Sequence, residues 1–177
     1  MKNFKLVIQY DGSRYKGFQV QKDNDLTVQG KLESVLSKMA EEPITIIGCE
    51  RTDVGVHAEN YVANFQTKCA LGEETILNYL YEFLPEDIVV KSVTEVDERF
   101  HSRYNVKSKT YVYTINNNSV RNVFNRKYVY HSDDQLDVKE MDKAASVLIG
   151  THDFQSFTSL KANGKSTVRT IQSIEIE

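Results

Sequence analysis

Over the first hundred residues the hydrophobic period switches back and forth between two and about 3.6 residues, and this alternation constrains the fold more than any other feature. "FKLVIQY" (Phe4 to Tyr10) is rich in β-formers and runs into Asp11-Gly12, a turn signal. From Thr27, a residue suited to an N-cap, Val28, Leu32, Val35, Leu36 and Met39 recur at helical spacing until Pro43 closes the run. "ITIIG" reads as a short strand, and "YVANFQT" (Tyr61 to Thr67) alternates like another. Gly72-Glu73-Glu74 opens a second helix, with Ile76, Leu77, Leu80, Phe83 and Leu84 on its apolar side. Acid in its first turn suits the helix dipole, and Pro85 stops it. "DIVVKSVTEV" (Asp87 to Val96) completes the order β-α-β-β-α-β.

That order predicts an α+β fold of ferredoxin-like type, an antiparallel sheet with one face buried under two helices, over a first domain of residues 1–100. A second unit begins after Arg99. "SKTYVYTI" (Ser108 to Ile115) alternates, and "RKYVYH" reads as a short strand. Asp137 with Glu140 forms a capping-box-like start for a helix using Val138, Met141, Ala144, Ala145 and Leu148, with Gly150 as its C-cap. "STVRTIQSIEIE" (Ser166 to Glu177) is a long alternating strand. A repeat of the first unit needs one more helix and strand. The expectation is therefore two ferredoxin-like units around an antiparallel sheet, the second (101–177) incomplete in this chain. On that reading the chain is a truncated piece, and the sheet surface of Val168, Ile171, Ile174 and Ile176 is left uncovered.

Composition narrows the function classes. Hydrophobic residues make up 40% and charged residues 27% of 177, ordinary values for a soluble globular protein. No apolar run approaches the ~20 residues of a membrane span, and the opening has no small-residue cleavage site, so the expected compartment is the cytoplasm and no membrane partner is expected. The net charge of −3 conceals an asymmetry. Glu73 to Glu98 holds eight acidic residues and one basic residue, whereas Arg99 to Lys127 holds seven basic residues and no acidic one. Phe100, Tyr104, Tyr111, Tyr113 and Phe124 are interleaved with those cations. Cations grip phosphates and aromatic faces stack unpaired bases, so this segment reads either as an RNA- or DNA-binding surface or as a solvated charged face.

Chemistry concentrates in "RTDVGVH", where Arg51, Asp53 and His57 surround Gly55 between two strands. No metal site is expected. The four histidines are scattered, and with Gly48 opposite Asn60 the two cysteines, Cys49 and Cys69, fall about ten strand positions or ~30 Å apart. Nucleotide cradles of the Walker or dinucleotide type are absent, as is a serine nucleophile elbow. Two readings of the loop stay open. In one it is a polar turn, with Asp53 bonding nearby backbone and Gly55 supplying positive φ. In the other, Arg51 keeps Asp53 ionised as a nucleophile or base, and Val54 and Val56 pack the loop rigid.

The motifs also resemble a known family. "ERTDVGVHA" is similar to the active-site motif of the TruA family of tRNA pseudouridine synthases, usually G-R-T-D-x-G-V-H. "LVIQYDGSRYKGFQVQKDNDLTVQGKLESVL" resembles the family's opening, with its Y-D-G, G-[WF]-Q and T-V-Q. "RFHSRYNVKSKTYVYTI" resembles its second block and "GTHDFQSFT" a third, G-x-H-D-F-x-x-F. Four motifs in family order are far more specific than any one of them. Glu50 stands where glycine is usual, Phe18 where tryptophan is common, and "AENYVANF" lacks a usual glycine. The family's last block, with a further basic partner of the aspartate, lies beyond Glu177.

The resemblance implies that Asp53 is the catalytic aspartate, that Tyr111 packs against the target base, and that Arg51 holds the flipped-out geometry. It further implies isomerisation of uridines 38 to 40 in the tRNA anticodon stem-loop by a homodimer without cofactor. Two other classes compete: an RNA-binding module of the same fold with lapsed catalysis, and a structural or oligomerisation domain. The intact Arg51, Asp53 and Tyr111 favour the enzyme.

Overall fold

A computed structural model describes residues 1–22, 26–158 and 166–177. The chain divides into two compact units, Met1–Tyr111 and Val112–Glu177. No helix among the described residues is long and apolar enough to cross a membrane.

The first unit contains strand β1 (Lys2–Tyr10), helix α1 (Val28–Ala40), strands β2 (Ile46–Gly48) and β3 (Ala58–Thr67), helix α2 (Glu73–Phe83) and strand β4 (Ile88–Val96). They form a four-stranded sheet in the order β2-β3-β1-β4, antiparallel at every pairing. Strands β1 and β3 hold its centre in the register Phe4↔Phe65, Leu6↔Ala63 and Ile8↔Tyr61. Strand period two sends Phe4, Leu6, Ile8 and Tyr10 to one face, where they are buried with Val28, Leu32 and Leu36 of α1 and Ile76 and Leu80 of α2. Thr27 caps α1 by accepting from Gly30 N–H at 3.2 Å. The helix ends at Ala40, ahead of Pro43, with Glu41 turning the chain at φ 53°. Phe83, expected on the apolar side of α2, is exposed; it sits in the last turn, where the chain leaves the sheet for Pro85.

The other sheet face is partly polar. Asn3 and Asn64 are buried there and joined by a 3.0 Å hydrogen bond. Asn3 donates to the carbonyls of Asp97 and Phe100 at 2.9 Å, and Asn64 accepts from Ser102 N–H at 2.9 Å. Ser102 itself is buried and donates to Ile47 O at 2.5 Å. These bonds draw the chain after β4 back across the sheet, giving buried amides the partners that burial demands.

The second unit departs further from expectation. Of Ser108 to Ile115, only Ile115 enters a ladder: β5 (Ile115–Asn116) pairs in parallel with β6 (Tyr130–His131) over two residues. Val112 and Tyr113 are exposed. Alternation shows which side chains share a face but does not supply a partner strand, and among the described residues no strand pairs with 108–113. Helix α3 (Val138–Ser146) starts as expected, with Asp137 accepting from the N–H groups of Lys139 and Glu140. It ends earlier than expected, capped by Val147, and buries none of its residues. Gly150, expected as its cap, takes φ 110° and opens strand β7 (Gly150–Asp153). The expected strand Ser166 to Glu177 shortens to β8 (Val168–Ile171), which is the length its partner β7 can pair.

Candidate active site

Residues 49–57 link β2 to β3, and the register of that hairpin differs from the expected one. Gly48 lies opposite Ala63 rather than Asn60, because Ile46 pairs with Phe65 to keep both in the core. Both cysteines are free. Burial pushes the Cys49 thiol above its ordinary range, which makes it a poor nucleophile.

Four clamps hold the loop. Buried Tyr61 accepts from Glu50 N–H at 3.2 Å and donates to the Glu50 carbonyl. Thr52 offers its carbonyl to Phe18 N–H at 3.1 Å, and its hydroxyl lies 2.8 Å from that of Tyr10. Val56 N–H closes a turn on Asp53 O at 3.2 Å, with Gly55 at φ 79° supplying the left-handed conformation that the turn requires. His57 Nδ1 lies 3.1 Å from Gly12 N and 3.0 Å from an Asp11 carboxylate oxygen. Gly12 passes so close that a Cβ there would meet Val56 O at 2.0 Å. Burial raises the Tyr10 phenol to about 12 and the Tyr61 phenol further, so both stay protonated.

These clamps replace the expected source of rigidity. Val54 and Val56 are 63% and 42% exposed and lie outside the buried core. Hydrogen bonds to Tyr10, Gly12 and Phe18 hold the loop instead, and these residues belong to the "YDGSRYKGF" stretch. Sequence reasoning used Y-D-G and G-F-Q only as marks of resemblance. The pairing of two glycine-bearing polar stretches was the available signal that they meet.

The loop presents Asp53 to a cleft of about 260 Å³ lined by Lys16, Gln19, Gln21, Arg51 and Thr52 among others. Asp53 and Arg51 share that cleft, and among the described residues no ion pair joins them. Two places apart in an open loop, they extend separately to solvent, and Asp53 makes no side-chain hydrogen bond within the described residues. Tyr111 is brought to the same loop from the far end of the unit: its hydroxyl donates to Glu50 Oε1 at 2.6 Å. Lys109 Nζ lies 3.0 Å from the same oxygen. Among the described residues no three His, Cys, Asp or Glu side chains converge as a metal site would require.

A family model described as tRNA pseudouridine synthase matches residues 6–105 and 144–177, covering the whole loop and the strands that carry it. The chain belongs to the tRNA pseudouridine synthase family. It is 62% identical to tRNA pseudouridine synthase A 1 of Clostridium tetani (strain Massachusetts / E88) over 99% of its own length and 72% of that relative's. To tRNA pseudouridine synthase A 2 of Bacillus cereus (strain ZK / E33L) it is 52% identical over the same shares. A second Clostridium tetani relative, tRNA pseudouridine synthase A 2, is 44% identical over 99% of this chain and 71% of its own. In this member of the family, then, an open carboxylate on a clamped loop, two neighbouring cations and a tethered tyrosine make up the candidate site.

Proposed function

We propose that the chain isomerises uridine to pseudouridine in tRNA, with Asp53 as its catalytic carboxylate. The observation that carries this reading is Asp53 itself. It has no side-chain partner among the described residues, sits on a loop clamped on both sides, and opens into a cleft beside Lys16 and Arg51. A carboxylate held this way needs no reorganisation to meet its substrate.

Pseudouridine formation breaks the bond from C1′ to N1 of uracil, turns the base, and joins C1′ to C5. The C5 proton leaves and N1 gains one, so no electron is transferred and no cofactor is required. Asp53 either attacks the nucleotide or takes the C2′ proton. Extracting the base from its stack costs a few kcal/mol. Arg51 offsets that cost by holding the flipped nucleotide, and Tyr111 supplies an aromatic face for the base. The expected substrate is the anticodon stem-loop, at uridines 38 to 40.

Further parts of the proposal concern architecture. The order β2-β3-β1-β4, with two helices on one face, supports a ferredoxin-like unit for residues 1–100. Residues 101–177 carry the basic RNA-contacting segment, and the working state is a cytoplasmic homodimer. The compact unit bearing the loop runs to Tyr111, so Lys109 and Tyr111 belong with Asp53.

Tritium release from C5-labelled uridine in tRNA tests the function. Wild-type protein releases tritium, and Asp53→Asn, which keeps size and removes charge, does not, while fold and tRNA affinity persist. A variant keeping more than about a tenth of the wild-type rate, a barrier change of only ~1.4 kcal/mol, excludes Asp53 as the essential carboxylate.

A further inference from the structure

We propose that Glu50 is a positioning residue that fixes Tyr111, with Lys109 beside it, against the start of the catalytic loop. The proposal rests on the roles given above to Asp53 and Tyr111. It extends them to a side chain that the family's usual motif, with glycine at this place, does not provide.

The geometry is that of a three-way junction. Glu50 Oε1 accepts from the Tyr111 hydroxyl at 2.6 Å and lies 3.0 Å from Lys109 Nζ. The Glu50 side chain is 28% exposed and that of Lys109 35%, so the cluster is partly shielded from water. Hydrogen bonds to an ionised acceptor are roughly twice as strong as neutral ones. The Glu50 main chain is fixed independently, because both its N–H and its carbonyl are bonded to the Tyr61 hydroxyl. The Tyr61 ring is buried and stacked on Phe18, with centroids 4.3 Å apart. Glu50 is therefore a short arm with an immobile base, three residues before Asp53.

Tyr111 needs such an arm. It lies outside every strand of the sheet and its side chain is 60% exposed. Packing alone does not select one rotamer for a ring so exposed. The bond to Glu50 ties the phenol to the start of the loop and directs its proton to the carboxylate. The same carboxylate holds Lys109, so an RNA phosphate must compete with Glu50 for that cation.

The test compares Glu50→Ala, Glu50→Gln, Tyr111→Phe and the double variant Glu50→Ala/Tyr111→Phe in the tritium-release assay, reading kcat and KM separately. Glu50→Ala should lose about tenfold or more in kcat with a smaller change in KM, the signature of misplacement rather than lost binding. Glu50→Gln keeps an amide oxygen that accepts from the phenol and should regain the larger part of kcat. In the Tyr111→Phe background the bond is already gone, so Glu50→Ala should have little further effect on kcat, although it still releases Lys109. Additive losses, or a Glu50→Ala protein with wild-type kcat, overturn the proposal.

A second readout does not depend on turnover. The tyrosine Cζ resonance of Tyr111 in carbon-13 NMR, assigned through Tyr111→Phe, should move in Glu50→Ala and return toward its wild-type position in Glu50→Gln. An unmoved resonance overturns the tether even in an active enzyme. A moved resonance in a protein that releases no tritium upholds the tether and counts against the synthase reading instead. Should Glu50→Ala fail to fold, Tyr111→Phe, which removes only the phenol oxygen bonded to Glu50, answers through kcat: a lowered kcat supports the tether and a wild-type kcat overturns it.

Discussion

Tyr111 and Tyr113 lie two residues apart in an alternating run, and the sequence alone gives no reason to separate their roles. Their surroundings differ. Tyr111 is tied to Glu50, whereas Tyr113 is 85% exposed. Tyr111→Ala should therefore cost about a hundredfold in kcat, the scale of a misplaced reacting group, and Tyr113→Ala far less. Equal losses, measured side by side by tritium release, would remove the distinction. Tyr10 makes a second prediction at this scale. Its phenol is raised from 10.0 to about 12 by burial, so the fold favours the protonated form. The resulting stability is fully present below pH 10 and is lost as pH rises from 10 towards about 12. Burial acts on Tyr61 and Tyr15 in the same direction. Denaturant unfolding across this range should show stability falling with pH, and Tyr10→Phe should make the fall shallower. An unchanged slope would contradict the burial argument.

At the scale of elements, the loop bearing Asp53 and the segment after β1 form one object, since each supplies what the other lacks. The loop finds its hydrogen-bond partners in Tyr10, Gly12 and Phe18, and Gly12 is admitted only because it has no side chain. Gly12→Ala places a Cβ 2.0 Å from a backbone oxygen, which no rotamer change relieves. Unfolding should register a loss of roughly 1–3 kcal/mol, the usual cost of overpacking. Turnover should fall beyond what stability explains, because the loop carrying Asp53 must move. A variant destabilised but fully active would show that loop placement is not limiting. The helices were easier to read than this approach of two loops. Thr27 and Asp137 both cap where a short polar side chain precedes an apolar repeat, a local rule that needs no tertiary information. The loop clamp joins residues some forty positions apart, and no local rule reaches that far.

Over the whole molecule, the proposed function assigns the grip on RNA to the basic stretch from Arg99 to Lys127. Arg121 reaches Asp133 at 3.4 Å with both side chains about three-quarters exposed, too open a pair to keep the arginine from a phosphate. Arg126 bonds the Val123 carbonyl at 2.7 Å, and no carboxylate pairs with it among the described residues. Neutralising Arg121, Arg126 and Lys127 together should weaken tRNA binding across sequences. It should also flatten the salt dependence by roughly one unit of log–log slope for each phosphate that these cations grip. Binding titrations at several salt concentrations would show this. Unchanged affinity and slope would mean that the run is only a solvated surface.

The sequence by itself determined the order of elements in the first unit, the helix caps at Thr27 and Asp137, and the identity of the loop that bears Asp53. These depend on periodicity and on residues near one another in the chain, where φ/ψ preferences and hydrophobic spacing act directly. Tertiary structure decided the rest. It set the β2–β3 register by requiring Ile46 to share the core with Phe65. It shortened the strands read at Ser108 to Ile115 and Ser166 to Glu177 to the lengths that their partners pair. It joined Glu50 to Tyr111, sixty-one positions away. A side chain's partner is fixed by where the folded backbone delivers it, and periodicity in one dimension carries no record of that distance.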